Sequence, residues 1–260
     1  MSDFSLDQDE LAFYREHGYL IRSRVFSEPE VSRLLGSVEF AAMTAHEQAL
    51  RGDTYMLDGK RFVDVGTMTV QFEHGPASDA IKVIEPVQHL HPDLEGLIRD
   101  ERIVSPIRSL LGGEISVWTN KLNLKVGSEG SGFGWHQDSP YWVHTSDHVD
   151  LLPNVYLAFD EATEANGCLR VIDRSHHRGC LPGTIDGSQL GGFFTDPQFF
   201  DEQDAVSLTL EPGSIVFFDA HVIHGSRPNR TPEPRRAIVM TYQPAGFPML
   251  KTGEIVNIDV

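Results

Sequence analysis

From residue 114 onward the chain is a succession of short β-prone runs separated by turn residues, and this texture limits the fold more than any other feature. "ISVWTNKLNLKV", "NVYLAFDEA", "GCLRVID", "AVSLTLEPGSIVFFDA" and "RRAIVMTYQP" are rich in β-branched and aromatic residues. "EANG" and "EPGS" supply tight turns, with Asn166 and Gly167 tolerant of positive φ. No helical period separates these runs, which disfavours the crossovers of a parallel α/β sheet. The predicted class is mainly β with flanking helices: an antiparallel sandwich or double-sheet barrel.

The first hundred or so residues read as mostly helical. "LDQDELAFYREHGYL" spaces Leu11, Phe13, Tyr14 and Tyr19 at helix-like intervals, and Gly18 is a helix stop. "GYLIRSRVF" alternates like a short strand. In "SEPEVSRLLGSVEFAAM", Ser27 is a predicted N-cap, Pro29 falls in the first turn, and Val31, Leu34, Leu35 and Val38 form an apolar stripe. A third helical stretch, "PDLEGLIRDERIVSPIRSLLG", carries Leu94, Leu97, Ile98 and Ile103 and ends at Gly112. The expected organisation is one domain over 1–260: a mostly helical part (1–112), a β core (113–246) and a C-terminal tail (247–260).

Composition narrows the partners. The net charge is −17, with 21 basic against 38 acidic residues, the wrong balance for nucleic acid or an anionic membrane surface. The one dense basic stretch, "RPNRTPEPRR", contains prolines and reads as a loop between strands. No apolar run reaches the roughly 18 residues of a membrane span, and "MSDFSLDQDELAF" is too acidic for a leader. Cys168 and Cys180 cannot make a disulfide framework. These features lead to the expectation of a cytoplasmic protein that acts on a small molecule, with no nucleic-acid or membrane partner. They leave the oligomeric state open.

The chemistry is concentrated in two motifs. In "GFGWHQDSPYW", His136 and Asp138 stand two residues apart. On a strand they share a face and can chelate one ion; on a helix they would lie about 200° apart. A site of two histidines and one carboxylate, open on its other face, is the arrangement used by non-haem iron oxygenases. The third ligand falls in "SIVFFDAHVIHGSRPN", where the residues alone allow either His221 or His224. Arg235 begins the next strand and could pair bidentately with the remote carboxylate of a dicarboxylate cosubstrate. Strand alternation sends Arg235 and Arg236 to opposite faces, so only one can do so.

Together, "FYREHGYLIRSRVFSEPEV", "WHQD", "EATEANGCLRVIDRSHHRG" and "IHGSRPNRTPEPRRA" resemble the phytanoyl-CoA dioxygenase family of Fe(II)/2-oxoglutarate oxygenases. The resemblance covers nearly the whole chain and is weakest over 40–112 and 181–207. It implies a double-stranded β-helix, or jelly-roll, core. It implies His136, Asp138 and His224 as iron ligands, preferring His224 because Gly225, Ser226, Asn229 and Arg235 follow it in the family's order. It assigns Arg235 and Ser226 to the far carboxylate of 2-oxoglutarate, and Thr119, Lys121 and Asn123 to cosubstrate or substrate contacts. Trp142 falls at an aromatic position beside the pocket, and Gln137 is counted with it as a pocket residue. The implied activity uses Fe(II), 2-oxoglutarate and O2 to hydroxylate a C–H bond, releasing succinate and carbon dioxide.

Other readings compete at each point. The same site could desaturate or close a ring; halogenation is disfavoured because Asp138 fills the position a halide would need. A cupin-like metal-binding protein or isomerase would use the metal without 2-oxoglutarate, and would have no use for a buried cation at Arg235. A ligand-binding jelly roll without catalysis would not need three ligands intact. His176 and His177 read as a structural turn after the "GCLRV" strand. His144 and His148 read as loop residues, Cys168 as a small buried side chain, and Arg236 as a surface or ion-paired residue. Residues 40–90 and the loop "PGTIDGSQLGGFFTDPQFF" are expected to cover the pocket mouth.

Overall fold

The computed structural model describes residues 4–74 and 78–258. Helix α1 (Gln8–His17) starts where Asp7 caps the backbone of Glu10 and Glu10 bonds back to Asp7. It stops at Gly18, whose φ of 80° is a left-handed conformation that a side chain would strain. Strand β1 (Tyr19–Arg22) follows. Ser27 then opens α2 (Glu28–Ala49), with Glu30 reaching back to the Ser27 amide.

Residues 53–85, expected within the mostly helical part, instead form an antiparallel meander. Its strands are β2 (Asp53–Leu57), β3 (Lys60–Val65), β4 (Met68–Phe72) and β5 (Ile81–Glu85). Asp58 and Gly59 make the first turn with φ of 46° and 74°, the Asp-Gly hairpin signal at this position in the sequence. The third expected helix is also divided, into α3 (Pro92–Leu97) and α4 (Glu101–Leu111). The Asp100 carboxylate accepts from the Arg102 amide at 3.0 Å and so starts a new helix instead of continuing the old one.

The core runs through β6 (Ile115–Lys125), β7 (Phe133–His136), α5 (Ser139–Trp142), β8 (Asn154–Ala158), β9 (Leu169–Ile172) and β10 (Ala205–Leu208). It closes with β11 (Ile215–Phe218), β12 (His224–Ser226), β13 (Arg235–Pro244) and β14 (Asn257–Ile258). These strands form two antiparallel sheets. The large one is ordered β1-β11-β8-β13-β6-β5-β4-β3-β2, with β14 also pairing to β6; the small one is ordered β10-β9-β12-β7. The expected two-sheet antiparallel core is present. The meander extends the large sheet beyond it, and the tail returns to the sheet through β14. Residues 259–260 of that tail lie outside the described residues.

Period-two alternation on the large sheet separates two cores. Val155, Leu157, Ile215, Phe217, Ile238 and Met240 pack outward with α2, α3 and α4. Tyr156, Ala158, Val216, Phe218, Ala237 and Val239 face inward, with Leu169 and Val171 of the small sheet. Both faces of β8, β11 and β13 are therefore covered, which is why these strands read as continuous apolar runs. No helix among the described residues is long and apolar enough to cross a membrane.

Phe217 is fully buried in the helix-side core, whereas Leu50 at the end of α2 is 75% exposed. Phe217→Ala is expected to cost about 3–5 kcal/mol through lost burial and the cavity left behind, and Leu50→Ala less than about 0.5 kcal/mol. Urea unfolding of the two variants measures both.

Candidate active site

Strand β7 ends at His136, the chain turns at Gln137, and Asp138 caps α5 in a helical conformation (φ −78°, ψ −29°). The expectation that His136 and Asp138 share one strand is thus corrected: the strand stops first, and the turn brings the carboxylate round. The Ala220 carbonyl fixes that turn by accepting from the amides of Asp138 and Ser139, both at 3.0 Å. His224 opens β12 and is the register partner of His136 across the small sheet. One ligand atom from each of His136, Asp138 and His224 lies within 4.8 Å of the others. Asp138 sits 3.9 Å from His136 Nε2 and 3.8 Å from His224 Nε2, through different oxygens.

Backbone carbonyls set the tautomers. His136 Nδ1 is 2.8 Å from the Gly134 carbonyl, and His224 Nδ1 is 2.9 Å from the Val222 carbonyl. A carbonyl can only accept, so each Nδ1 carries the proton and each Nε2 turns a lone pair to the centre. Burial, then repulsion from His224, lowers the His136 pKa to about 3; burial lowers that of His224 as well. Both rings are therefore neutral, as ligation requires. Burial disfavours charge on Asp138, but the neighbouring Lys121 ammonium and the hydrogen bond from Asn154 favour it, and the carboxyl stays below its ordinary value. Asn154 donates to Asp138 at 2.9 Å and accepts from Thr241 at 2.6 Å, locking the carboxylate's rotamer. Two neutral imidazoles and one carboxylate, facing open volume on the remaining side, fit a ferrous ion.

That volume is a cavity of about 600 Å³ between the two sheets. Arg235 lines it: the residue is 2% exposed, its guanidinium donates to the Tyr156 hydroxyl, and its Nε has no partner among the described residues. Nearby Lys125 is fully buried, and burial together with Arg235 lowers its pKa to about 6. A guanidinium with an unused donor in such a place fits a carboxylate. Arg236 points the other way, to Asp160 and to Glu39 of α2.

The other expected site residues divide. Ser226, Lys121, Asn123 and Trp142 line the cavity, and Lys121 Nζ stands 3.8 Å from Asp138. Thr119 is one step removed: it does not line the cavity, and its hydroxyl donates at 2.7 Å to Glu85, which does. Gln137 is corrected. Its fully buried amide donates to the carbonyls of Gly179 and His221 and accepts from the Leu181 amide, so it ties loops together on the far side of the turn. His221 bonds Ser139 and Asp150, each at 2.8 Å, and is not part of the ligand cluster. His148 packs on Phe247 and bonds Gln243. His176 and His177 bond the carbonyls of Arg15 and Glu16, in a 3-10 turn after β9.

Two inward residues went unread. Tyr156 and Asn154 are two apart in "NVYLAFDEA", one against Arg235 and the other against Asp138. Their spacing was the available signal: polar groups at alternate positions of an otherwise apolar strand. Phe62, Gln71, Leu190 and Phe194 also line the cavity, from the meander and the 182–196 loop. Gly134 admits Phe194 there, since a Cβ would lie 2.9 Å from its ring.

Comparison with known proteins agrees with this geometry. The chain is 30% identical over 254 residues to the ectoine dioxygenase of Bordetella parapertussis, spanning 92% of this chain and 75% of that protein. It is 27% identical to a probable alpha-ketoglutarate-dependent hypophosphite dioxygenase of Stutzerimonas stutzeri, spanning 92% of this chain and 80% of that one. Among solved structures, EctD from S. alaskensis with bound Fe superposes with a TM-score of 0.70 at 25% identity, over 96% of this chain and 82% of that chain. The model of the phytanoyl-CoA dioxygenase (PhyH) family matches residues 14–237, and the chain belongs to that family.

Proposed function

We propose that this protein is an Fe(II)- and 2-oxoglutarate-dependent dioxygenase that hydroxylates a C–H bond of a small organic molecule, releasing succinate and carbon dioxide. One observation carries the reading: a cluster of two histidines and an aspartate opens onto the same cavity as a buried arginine with an unused donor. A metal protein that used no 2-oxoglutarate would gain nothing from that buried cation. Homology to dioxygenases supports the same class.

In this reading His136, Asp138 and His224 hold iron, which supplies the oxidising chemistry when bound. Arg235, with Tyr156 and Ser226, receives the far carboxylate of 2-oxoglutarate. Lys121 and Asn123 approach from β6 and contact the cosubstrate or the substrate. The chain's remaining work is orientation and exclusion of water. Asn154 and Thr241 hold the Asp138 carboxylate, the two backbone carbonyls hold the imidazoles, and Trp142 and Phe218 give the chamber apolar walls.

Three variants test this. Asp138→Ala is expected to remove both the visible charge-transfer band of the anaerobic Fe(II)–2-oxoglutarate complex and substrate-independent succinate release. Unchanged turnover would remove Asp138 from the ligand set. Arg235→Ala is expected to raise the 2-oxoglutarate KM by roughly 10- to 100-fold, as for loss of a charge-assisted hydrogen bond. Arg236→Ala is expected to leave that KM within about threefold while lowering stability through its lost ion pairs. Succinate release against 2-oxoglutarate concentration reads the first effect, and urea unfolding reads the second.

A further inference from the structure

The cavity includes a chamber for which the reading above assigns no occupant. One wall is the meander, with Phe62, Gln71 and Glu85; the other is the 182–196 loop, with Leu190 and Phe194. The tip of the β2–β3 hairpin joins the two walls: the Asp58 carboxylate accepts from the amides of Gln189 at 3.0 Å and Leu190 at 2.6 Å. Two residues beyond Asp58, Lys60 enters the chamber. Its ammonium stands 4.8 Å from the centroid of the Phe194 ring and makes no hydrogen bond or salt bridge with the described residues.

The charge around this chamber opposes that of the whole chain. Lys60, Lys82, Lys121, Lys251 and Arg235 line the cavity against Glu85 and Asp138, in a protein of net charge −17. Most of these cations are committed. Lys82 donates to Ser131 at 2.7 Å and to the Gly132 carbonyl at 2.8 Å, and Lys251 donates to Thr69 at 2.5 Å. Lys121 Nζ stands 3.8 Å from Asp138, and the reading above gives Arg235 to the far carboxylate of 2-oxoglutarate. Of these lining cations, Lys60 is the one with no hydrogen bond or salt bridge among the described residues, and the carboxylate nearest to it in sequence, Asp58, is taken by the opposite loop. Burial lowers the Lys60 pKa, with Asp58 opposing. An ammonium half removed from water, without an acceptor, is stabilised by an anion placed against it. A cation-lined cleft in an acidic surface also concentrates anions locally.

We propose that Lys60 anchors an anionic head group of the substrate (a carboxylate, phosphonate or sulfonate), with the apolar remainder against Phe62, Phe194 and Tyr141. This assignment rests on the dioxygenase reading and adds the substrate's class to it.

The test uses the anaerobic Fe(II)–2-oxoglutarate holoenzyme and a panel sharing one carbon chain: butylphosphonate, butanesulfonate, butyrate, 1-butanol and butylamine. Perturbation of the visible band and stimulation of succinate release are titrated for each compound. The anions are expected to act at concentrations at least about tenfold below the alcohol and the amine. In Lys60→Gln the ratio of anion to alcohol thresholds is expected to fall to about one, and in Lys60→Arg to persist. Because the ratio is taken within each variant, a general loss of folded protein cancels. Equal or better action by butylamine or 1-butanol, no action by any compound, or an unchanged ratio in Lys60→Gln would overturn the anion assignment and leave the dioxygenase reading standing. Absence of the visible band with Fe(II) and 2-oxoglutarate would remove that reading and this assignment together.

Discussion

The site depends on one strand pairing. β12 sets His224 directly opposite His136 of β7, and the ring centroids come within 4.2 Å. Burial keeps both imidazoles neutral, and at His136 the closeness of His224 adds to the effect. A slip of one residue in this register would turn His224 to the opposite face and present Ile223 or Gly225 instead. The pairing holds because His224 is also matched to Val171 of β9, on the other side of β12. A three-residue strand is thus fixed from both edges.

The large sheet contributes the other half of the cavity through the same alternation. Arg235 and Arg236 are neighbours in sequence and serve opposite surfaces: one the chamber, the other α2. Arg236 pairs with Asp160 and Glu39 and so helps dock the helix layer. Its neighbour is consequently held in the interior, where leaving a donor unused is costly unless a ligand supplies an acceptor. In the proposed reading, that unused donor is what receives the far carboxylate of 2-oxoglutarate.

The charge pattern follows a related logic. An excess of acidic side chains covers the outside, while basic groups gather on the inner faces of β3, β5, β6 and β13. Lys82 and Lys125 tolerate burial by donating to loop carbonyls and by losing proton affinity, to about 8 and about 6. Net charge therefore describes the solvated surface and gives the wrong sign for the chamber.

Much of the centre was legible in the sequence because its chemistry demands rare combinations. Only a few residue types ligate iron, and the order of histidine, glycine, serine, asparagine and arginine after β11 leaves little freedom once strands are recognised. Capping residues such as Ser27 and the stops at Gly18 and Gly112 were legible for a similar reason: backbone groups at helix ends need particular side chains or a left-handed residue. The meander at 53–85 was not, because its strands are short and β2 is almost wholly exposed, although Met68–Phe72 alternates and Asp58-Gly59 marked a hairpin. Choosing His224 over His221 by geometry, or seeing Gln137 turned away from the cavity, needed the fold. Both outcomes follow from where β7 ends and how the Ala220 carbonyl grips the start of α5, and those are facts of long-range packing. By itself the sequence determined which side chains could do the chemistry. Tertiary structure decided which of them meet, because only pairing between distant strands sets the faces and distances on which coordination depends.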